Sequence, residues 1–325
     1  MTRVVSSAPM PPQFFEGTLG AAGIEDLEVT VPSERTQTAF VDAVAGADLV
    51  VGDYTFELEI DRAVIDAMEG CRLIQQPSAG YQHIDIEYAA SKGIPVANSG
   101  GANDIAVAEH TVMSGLALIK HLREADKATR EGSWPQLEIG GVELAGRTWG
   151  IVGFGRIGRE VARRLSGFGC TVLFSDPFPP SEDVQSELGV SEVDLDALLK
   201  KSDVVSLHCP LTDETRNLID SQALAKIGSA GFLINVARGE VIVEDDLVEA
   251  LRSGKLGGAA VDVFTEEPPD SGHPLFGLEN VILSPHIAGV TAESRRRIMA
   301  ATVENLARAA KGEEPLNVVN GVVSD

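Results

Sequence analysis

Cysteine is scarce: Cys71, Cys170 and Cys209 are scattered over 325 positions, with no C-x-x-C spacing. An odd, dispersed set argues against a disulfide framework and against a structural zinc site, and it fits a reducing compartment. Small packed hydrophobes are the simplest reading of all three, and no metal is expected. Aromatic residues are few, at 5%, and positive charge is short, with 26 Lys+Arg against 49 Asp+Glu for a net charge of −23. Only 8 of those 26 are lysines, a bias that either salt adaptation or genome composition would produce. A field of this sign repels phosphate backbones and anionic lipid headgroups, which argues against nucleic acid and membrane as partners. Long apolar runs are missing too. The best, Ile105 to Ile119, is interrupted by Glu109 and His110, whereas a membrane span needs ~20 residues. Pro9, Pro11 and Pro12 follow directly on Val4-Val5, leaving no signal-peptide core. The expected location is cytoplasmic.

What is present is an apolar share of 44% beside 23% charged residues, enough to bury a core. Single cores stop growing near ~250–300 residues, so the length predicts two domains. Short apolar runs at Val4-Val5, Leu27 to Val31, Asp48 to Val51, Arg72 to Gln75 and Pro95 to Ala97 read as strands. Helical spacing lies between them at Thr38 to Val44, Ile60 to Met68 and Ile86 to Lys92. A long helix is predicted from about Asn103 to Arg130. A second series then places strands at Thr148 to Val152, Thr171 to Phe174, Val204 to Leu207, Gly231 to Asn235, Gly258 to Asp262 and Asn280 to Leu283. Helices are predicted between most of these, and a last one at Ala292 to Lys311 with Ile298, Val303 and Leu306 at core spacing. Alternation with crossovers too long for hairpins means α/β architecture with parallel sheets, and six strands in this order make a doubly wound dinucleotide domain.

Gly153-Phe154-Gly155-Arg156-Ile157-Gly158 matches G-x-G-x-x-G between a strand ending at Val152 and a helix bearing Ile157, Val161, Leu165 and Phe168 on one face. The first glycine permits a tight turn, the second lets backbone approach a pyrophosphate, and the third allows close helix–strand packing. Asp176 lies 18 positions past Gly158 at the end of the next strand, where a carboxylate accepts from a ribose 2′-hydroxyl and repels a 2′-phosphate. NAD is thus expected over NADP. A purely structural βαβ turn, or a methyltransferase binding another adenosine cofactor, would use the same loop.

Three polar residues stand at or just beyond predicted strand ends: Arg238 after Asn235, Glu267 after Asp262, and His286 after Leu283. Ligands on open α/β sheets bind outside such ends. Each has an ordinary alternative, as a surface ion-pair partner, one more acid in an acidic chain, or a hydrogen-bonded loop histidine. Together they supply what reduction of a keto acid needs. A guanidinium fork holds a carboxylate and polarises the carbonyl. An imidazole delivers a proton, and a neighbouring carboxylate orients the ring and strengthens it as a base.

On these segments, with His208-Cys209-Pro210-Leu211-Thr212, Asn235 to Gly239, Asp262 to Pro268 and Ser284 to Gly289, the chain resembles the D-isomer-specific 2-hydroxyacid dehydrogenase family. The resemblance implies Arg238 as substrate clamp, His286 as acid/base and Glu267 as its partner. It also implies that Cys209, Pro210, Thr215, Ala237, Asp262, Ala288 and Gly289 line the NAD site together with His286 and the loop from Gly153 to Gly158. Ser78 to Asp85 is similar to the family's substrate loop, with Ala79, Gly80 and Tyr81 at the substrate and Gln82 where an aspartate is common. Gly100 replaces a frequent proline, while Val107, Glu109 and His110 match the family's following helix. His83 and His110 are read as structural or peripheral.

By the same resemblance, a Rossmann-type NAD domain at 100–289 is inserted into a smaller flavodoxin-like α/β substrate domain at 1–99 and 290–325, with the active site between them. A homodimer is implied through the helix from Ile105, whose Met113, Leu116 and Ile119 offer apolar surface or, equally, core. The implied activity is NAD-linked interconversion of a small 2-keto acid and its D-2-hydroxy acid, in the manner of a glyoxylate or hydroxypyruvate reductase. Tyr54, Tyr81, Trp134 and Leu137 are candidates for the substrate side-chain pocket. A short-form phosphoglycerate dehydrogenase is the enzymatic alternative, although the chain ends soon after the last helix. Formate dehydrogenase is disfavoured because Glu267 stands where that enzyme has glutamine. An NAD-sensing, co-repressor-like binding protein is the alternative from another class.

Overall fold

The computed structural model describes residues 1–24 and 26–322. Its elements follow in order as β1 (Thr2–Ser6), α1 (Pro12–Ala21), β2 (Leu27–Thr30), α2 (Gln37–Val44), β3 (Leu49–Val51), α3 (Arg62–Ala67), β4 (Leu73–Gln75), α4 (Ile86–Ser91) and β5 (Val96–Ala97). Next come α5 (Asp104–Ile119), α6 (Leu122–Arg130), β6 (Thr148–Val152), α7 (Arg156–Leu165), β7 (Thr171–Ser175), α8 (Glu182–Leu188), β8 (Val190–Glu192) and α9 (Leu195–Lys201). The rest are β9 (Val204–Leu207), α10 (Ser221–Ile227), β10 (Phe232–Asn235), α11 (Glu244–Arg252), β11 (Gly258–Val261), β12 (Val281–Leu283) and α12 (Ala292–Ala310). Two compact units result, one of Met1–Asn103 with the segment from Ala292 onward, the other of Asp104–Thr291. The breaks fall at Asn103 and Thr291, where the sequence reading puts them at 99 and 289.

In the first unit a parallel sheet runs in the order β2-β1-β3-β4-β5, the flavodoxin-like arrangement. The middles of its central strands are apolar, because helices cover both faces. Val4, Leu49 and Leu73 pack with Phe15, Leu19 and Leu306 on one side, and Val5, Val50 and Ile74 with Phe40, Val44 and Ile65 on the other. Helix α1 has no counterpart in the sequence reading, since its start carries two prolines. Pro11 is its N-cap and Pro12 begins its first turn, where a missing N–H costs nothing. On α12 only Leu306 of the three expected core residues is fully buried, and Ser294, Thr302, Asn305, Ala307 and Ala309 are buried beside it. Asn305 is satisfied there: its Nδ2 donates to Gln75 Oε1 at 2.8 Å and its Oδ1 accepts from Leu316 N at 2.8 Å.

The second unit holds a seven-stranded parallel sheet, β12-β11-β10-β9-β6-β7-β8. This is the doubly wound dinucleotide order, with the order of strand addition reversing between the parallel neighbours β6 and β9. The seventh strand, β8, escaped the sequence reading because it has three residues, two of them exposed, and follows the charged helix α8. The single long helix expected up to Arg130 is instead two, because His121 takes a left-handed conformation (φ 49°) between α5 and α6. Of the three residues assigned to an interface, Ile119 is wholly buried and Leu116 half-buried, so both serve the core, while Met113 is 55% exposed.

Candidate active site

The turn after β6 depends on Gly153. It has φ +88°, and a Cβ there would lie 2.5 Å from the backbone nitrogen of Cys209 at the exit of β9. Helix α7 then starts with Gly155 as N-cap and no side-chain cap, so its N-terminal N–H groups face outward at the positive end of the helix dipole. Phe154 points the other way, buried and stacked on Phe174 with ring centroids 4.1 Å apart. Its N–H donates to Asp176 Oδ2 at 2.6 Å, and Asp176 Oδ1 accepts from Phe178 N at 2.7 Å. Asp176 therefore braces the loop. A glycine cradle, an uncapped helix start and a carboxylate at the end of β7 are the donor set that a dinucleotide requires, and the residues present fit NAD.

Beyond β9, burial pushes the Cys209 thiol up to about 11, so it packs rather than reacts. Thr215 Oγ1 donates to Pro210 O at 2.6 Å and accepts from Thr212 N at 2.7 Å, which closes the turn that carries Pro210. At the end of β10, Asn235 Oδ1 accepts from Ala237 N (3.0 Å) and its Nδ2 donates to Arg238 O (2.8 Å), setting the direction of Arg238. Gly239 follows because a Cβ there would come within 2.1 Å of the Phe264 carbonyl carbon. That close approach lays the Arg238 turn against the loop bearing Glu267. Burial lowers the pKa of Arg238, against the pull of Glu267 and Glu240. Glu267 Oε1 accepts from Phe264 N at 2.9 Å, and Oε2 meets His286 Nδ1 at 2.6 Å. Burial works to raise the Glu267 pKa, yet His286, the Phe264 N–H and Arg238 leave it below the ordinary carboxylate value.

His286 itself sits at φ 53° and donates its N–H to Asp262 O at 2.7 Å. The buried Asp262 carboxylate accepts from Ser284 Oγ, Ile287 N (2.9 Å) and Ala288 N (2.8 Å). Its oxygens thus anchor the turn that presents His286. His110 Nε2 lies 3.3 Å from Ser284 Oγ on the same network.

In the first unit, three successive carbonyls of the expected substrate loop are held from behind. Ser78 O accepts from Ser99 N (3.0 Å), Ala79 O from Asn98 Nδ2 (2.8 Å) and Gly80 O from Ser78 Oγ (2.8 Å), while Gln76 Nε2 donates to Ser78 Oγ (2.7 Å). Among the described residues no acceptor meets the N–H of Ala79 or Gly80. Fixed peptide planes with free donors suit a carboxylate. Tyr81 packs half-buried on the core of its unit, whereas Tyr54, Trp134 and Leu137 are exposed. His83 is buried, which pushes its pKa down to about 4.

Residues 112–288 match the profile of the D-isomer specific 2-hydroxyacid dehydrogenase, NAD binding domain. The chain is 43% identical over 267 residues to a glyoxylate reductase of Thermofilum pendens, covering 81% of this chain and 78% of that one. A hydroxypyruvate reductase of Thermotoga maritima is 38% identical, with 87% and 90% covered. The chain belongs to the D-isomer-specific 2-hydroxyacid dehydrogenase family. A D-3-phosphoglycerate dehydrogenase of Archaeoglobus fulgidus is 36% identical over 90% of this chain, which spans 55% of that protein. Among solved structures, the D-lactate dehydrogenase of Aquifex aeolicus complexed with NAD and lactic acid superposes with a TM-score of 0.85 at 30% identity, over 99% of this chain and 98% of that one.

For a 2-hydroxyacid dehydrogenase, the sequence pointed to the side chains meant to touch ligand and passed over those that hold them. Asn98, Gln76, Asn235 and Ser284 went unassigned because each acts through a backbone carbonyl, a neighbouring N–H, a serine hydroxyl or one carboxylate. A weak signal existed for Asn235: an Asn at a strand end, two residues before a buried N–H, is the composition of an Asx turn.

Proposed function

We propose that this dehydrogenase interconverts a small 2-keto acid and its D-2-hydroxy acid, with glyoxylate or hydroxypyruvate as the keto partner. The contact between Glu267 Oε2 and His286 Nδ1, beside Arg238, carries the reading. Because Nδ1 is held by the carboxylate, the other ring nitrogen, Nε2, exchanges the proton with the substrate oxygen. Arg238 grips the substrate carboxylate and polarises the carbonyl. The nicotinamide cofactor, when bound, supplies the hydride to the keto carbon or accepts it in reverse. The carboxylate of Asp176 favours NAD over NADP.

The deciding experiment follows NADH oxidation with glyoxylate, hydroxypyruvate, pyruvate and 3-phosphohydroxypyruvate. Turnover with the first two in preference to the others is expected, and no turnover with any overturns the reading. A preference for the phosphorylated acid would favour phosphoglycerate oxidation, the activity named for the Archaeoglobus relative. Among the described residues no helix is long and apolar enough to cross a membrane. We take the working form to be a cytoplasmic homodimer. The exposed Ile105 and Met113 of α5, and Trp134 and Leu137 after α6, supply apolar surface for a second copy. Light scattering would read its mass.

A further inference from the structure

A buried hydrogen-bond relay runs along one face of the sheet in the second unit. Trp149 on β6 donates its indole Nε1–H to Ser206 Oγ at 2.9 Å, and Ser206 Oγ lies 3.0 Å from Nε2 of His208, just past the end of β9. Chemistry sets the direction of this chain. An indole N–H can only donate, so the serine oxygen accepts it; the single hydroxyl proton of the buried serine has no other acceptor among the described residues and goes on to the imidazole. His208 Nε2 is therefore the accepting nitrogen, and Nδ1 carries the ring proton. Trp149 and Ser206 are fully buried, so water does not compete for the relay. The far end of the chain is unmet: His208 Nδ1 is sealed from solvent and has no partner among the described residues, although the residue as a whole is only half-buried. Burial also holds the ring neutral, with its pKa pushed down to about 3.

The position of this orphan donor gives it meaning. The His208 N–H bonds to Val152 O at 2.7 Å, and the next residue, Cys209, is the one that Gly153 packs against. His208 thus stands at the reversal point between β6 and β9, where open α/β sheets bind their ligands. An orphan buried donor in a native protein calls for a reason, and a bound acceptor is one.

We propose that the His208 Nδ1–H is a hydrogen-bond donor kept for an acceptor atom of the bound dinucleotide, with Trp149 and Ser206 as positioning residues that hold the ring in the donating tautomer. The proposal rests on the assignment of NAD as cofactor.

Titration of the full chain with NADH, followed by cofactor fluorescence and by 15N NMR of labelled histidines, tests it. The free protein should show Nδ1 protonated and Nε2 bare at His208, and NADH should shift the Nδ1 resonance. His208→Asn places an amide N–H near the Nδ1 position and should keep NADH affinity within about two-fold, whereas His208→Gln lacks that donor and should bind about ten-fold more weakly. Urea melts of both variants check folding; if either fails to fold, the wild-type NMR still decides. A ring protonated at Nε2, an Nδ1 resonance unmoved by NADH (as for a donor held by a resident water), or equal affinities of the Asn and Gln variants would each overturn the proposal. A wild-type chain that binds no NADH would instead overturn the cofactor assignment, and this inference with it.

Discussion

Burial works to keep the Glu267 carboxyl protonated, while the hydrogen bond from His286, the Phe264 N–H and the charge of Arg238 favour its ionised form and prevail. Its folded value lies below the ordinary 4.5. The ionised Glu267 carboxylate therefore stabilises the fold fully above that pH, and the contribution is lost as acid titrates the carboxyl through its lower folded value. Glu267→Gln should accordingly lower the melting temperature most near neutral pH. The gap to wild type should close on acidification below about 4.5, as thermal melts across pH would show. His286→Ala removes the proton donor but none of the glycine loop. Its kcat should fall by about 10²–10⁴-fold while NADH affinity, read by fluorescence, stays within about three-fold. An equal loss of affinity would place His286 in cofactor binding instead.

Between β6 and α7 two glycines do different work, and substitution separates them. Gly153 is left-handed and pressed on the backbone of Cys209. Gly153→Ala combines backbone strain with overpacking and should cost about 2–4 kcal/mol in urea unfolding. Gly155 has an ordinary φ of −71°, and nothing lies within 4 Å of where its methyl group would stand in an alanine. Gly155→Ala should leave stability within about 0.5 kcal/mol yet weaken NADH at least about ten-fold, because the methyl group occupies the approach to the helix start. The motif was legible in sequence, but this division was not, since it depends on β9 passing beside one glycine and not the other. The break in the long helix was equally hidden. His121 does not announce a left-handed turn as glycine would, and only the packing around it selects that conformation.

Across the whole molecule, a net charge of −23 opposes capture of an anionic keto acid. Screening by salt should therefore raise kcat/KM for the keto acid a few-fold between ~0.01 and ~0.5 M, as the Debye length falls from ~30 Å to under ~8 Å. A steady decline with salt would mean that the local cation Arg238 dominates the encounter. From sequence alone came the α/β class and the order of most elements, and with them Arg238, Glu267, His286 and the glycine loop as candidate site residues. Those features rest on local spacing: apolar runs of strand length, helical periodicity and turn residues at strand ends. Helix α1 and strand β8 were lost to it, being proline-led or too short and polar to show a period. Only the tertiary structure decided how the site is held. Asp262 grips the His286 turn, Asn98 and Ser99 pin the substrate loop, and Trp149 sets the tautomer of His208 from a different strand. Those partners lie from about 20 to nearly 60 residues apart along the chain. Chain folding creates such contacts, and no pattern within a single segment records them.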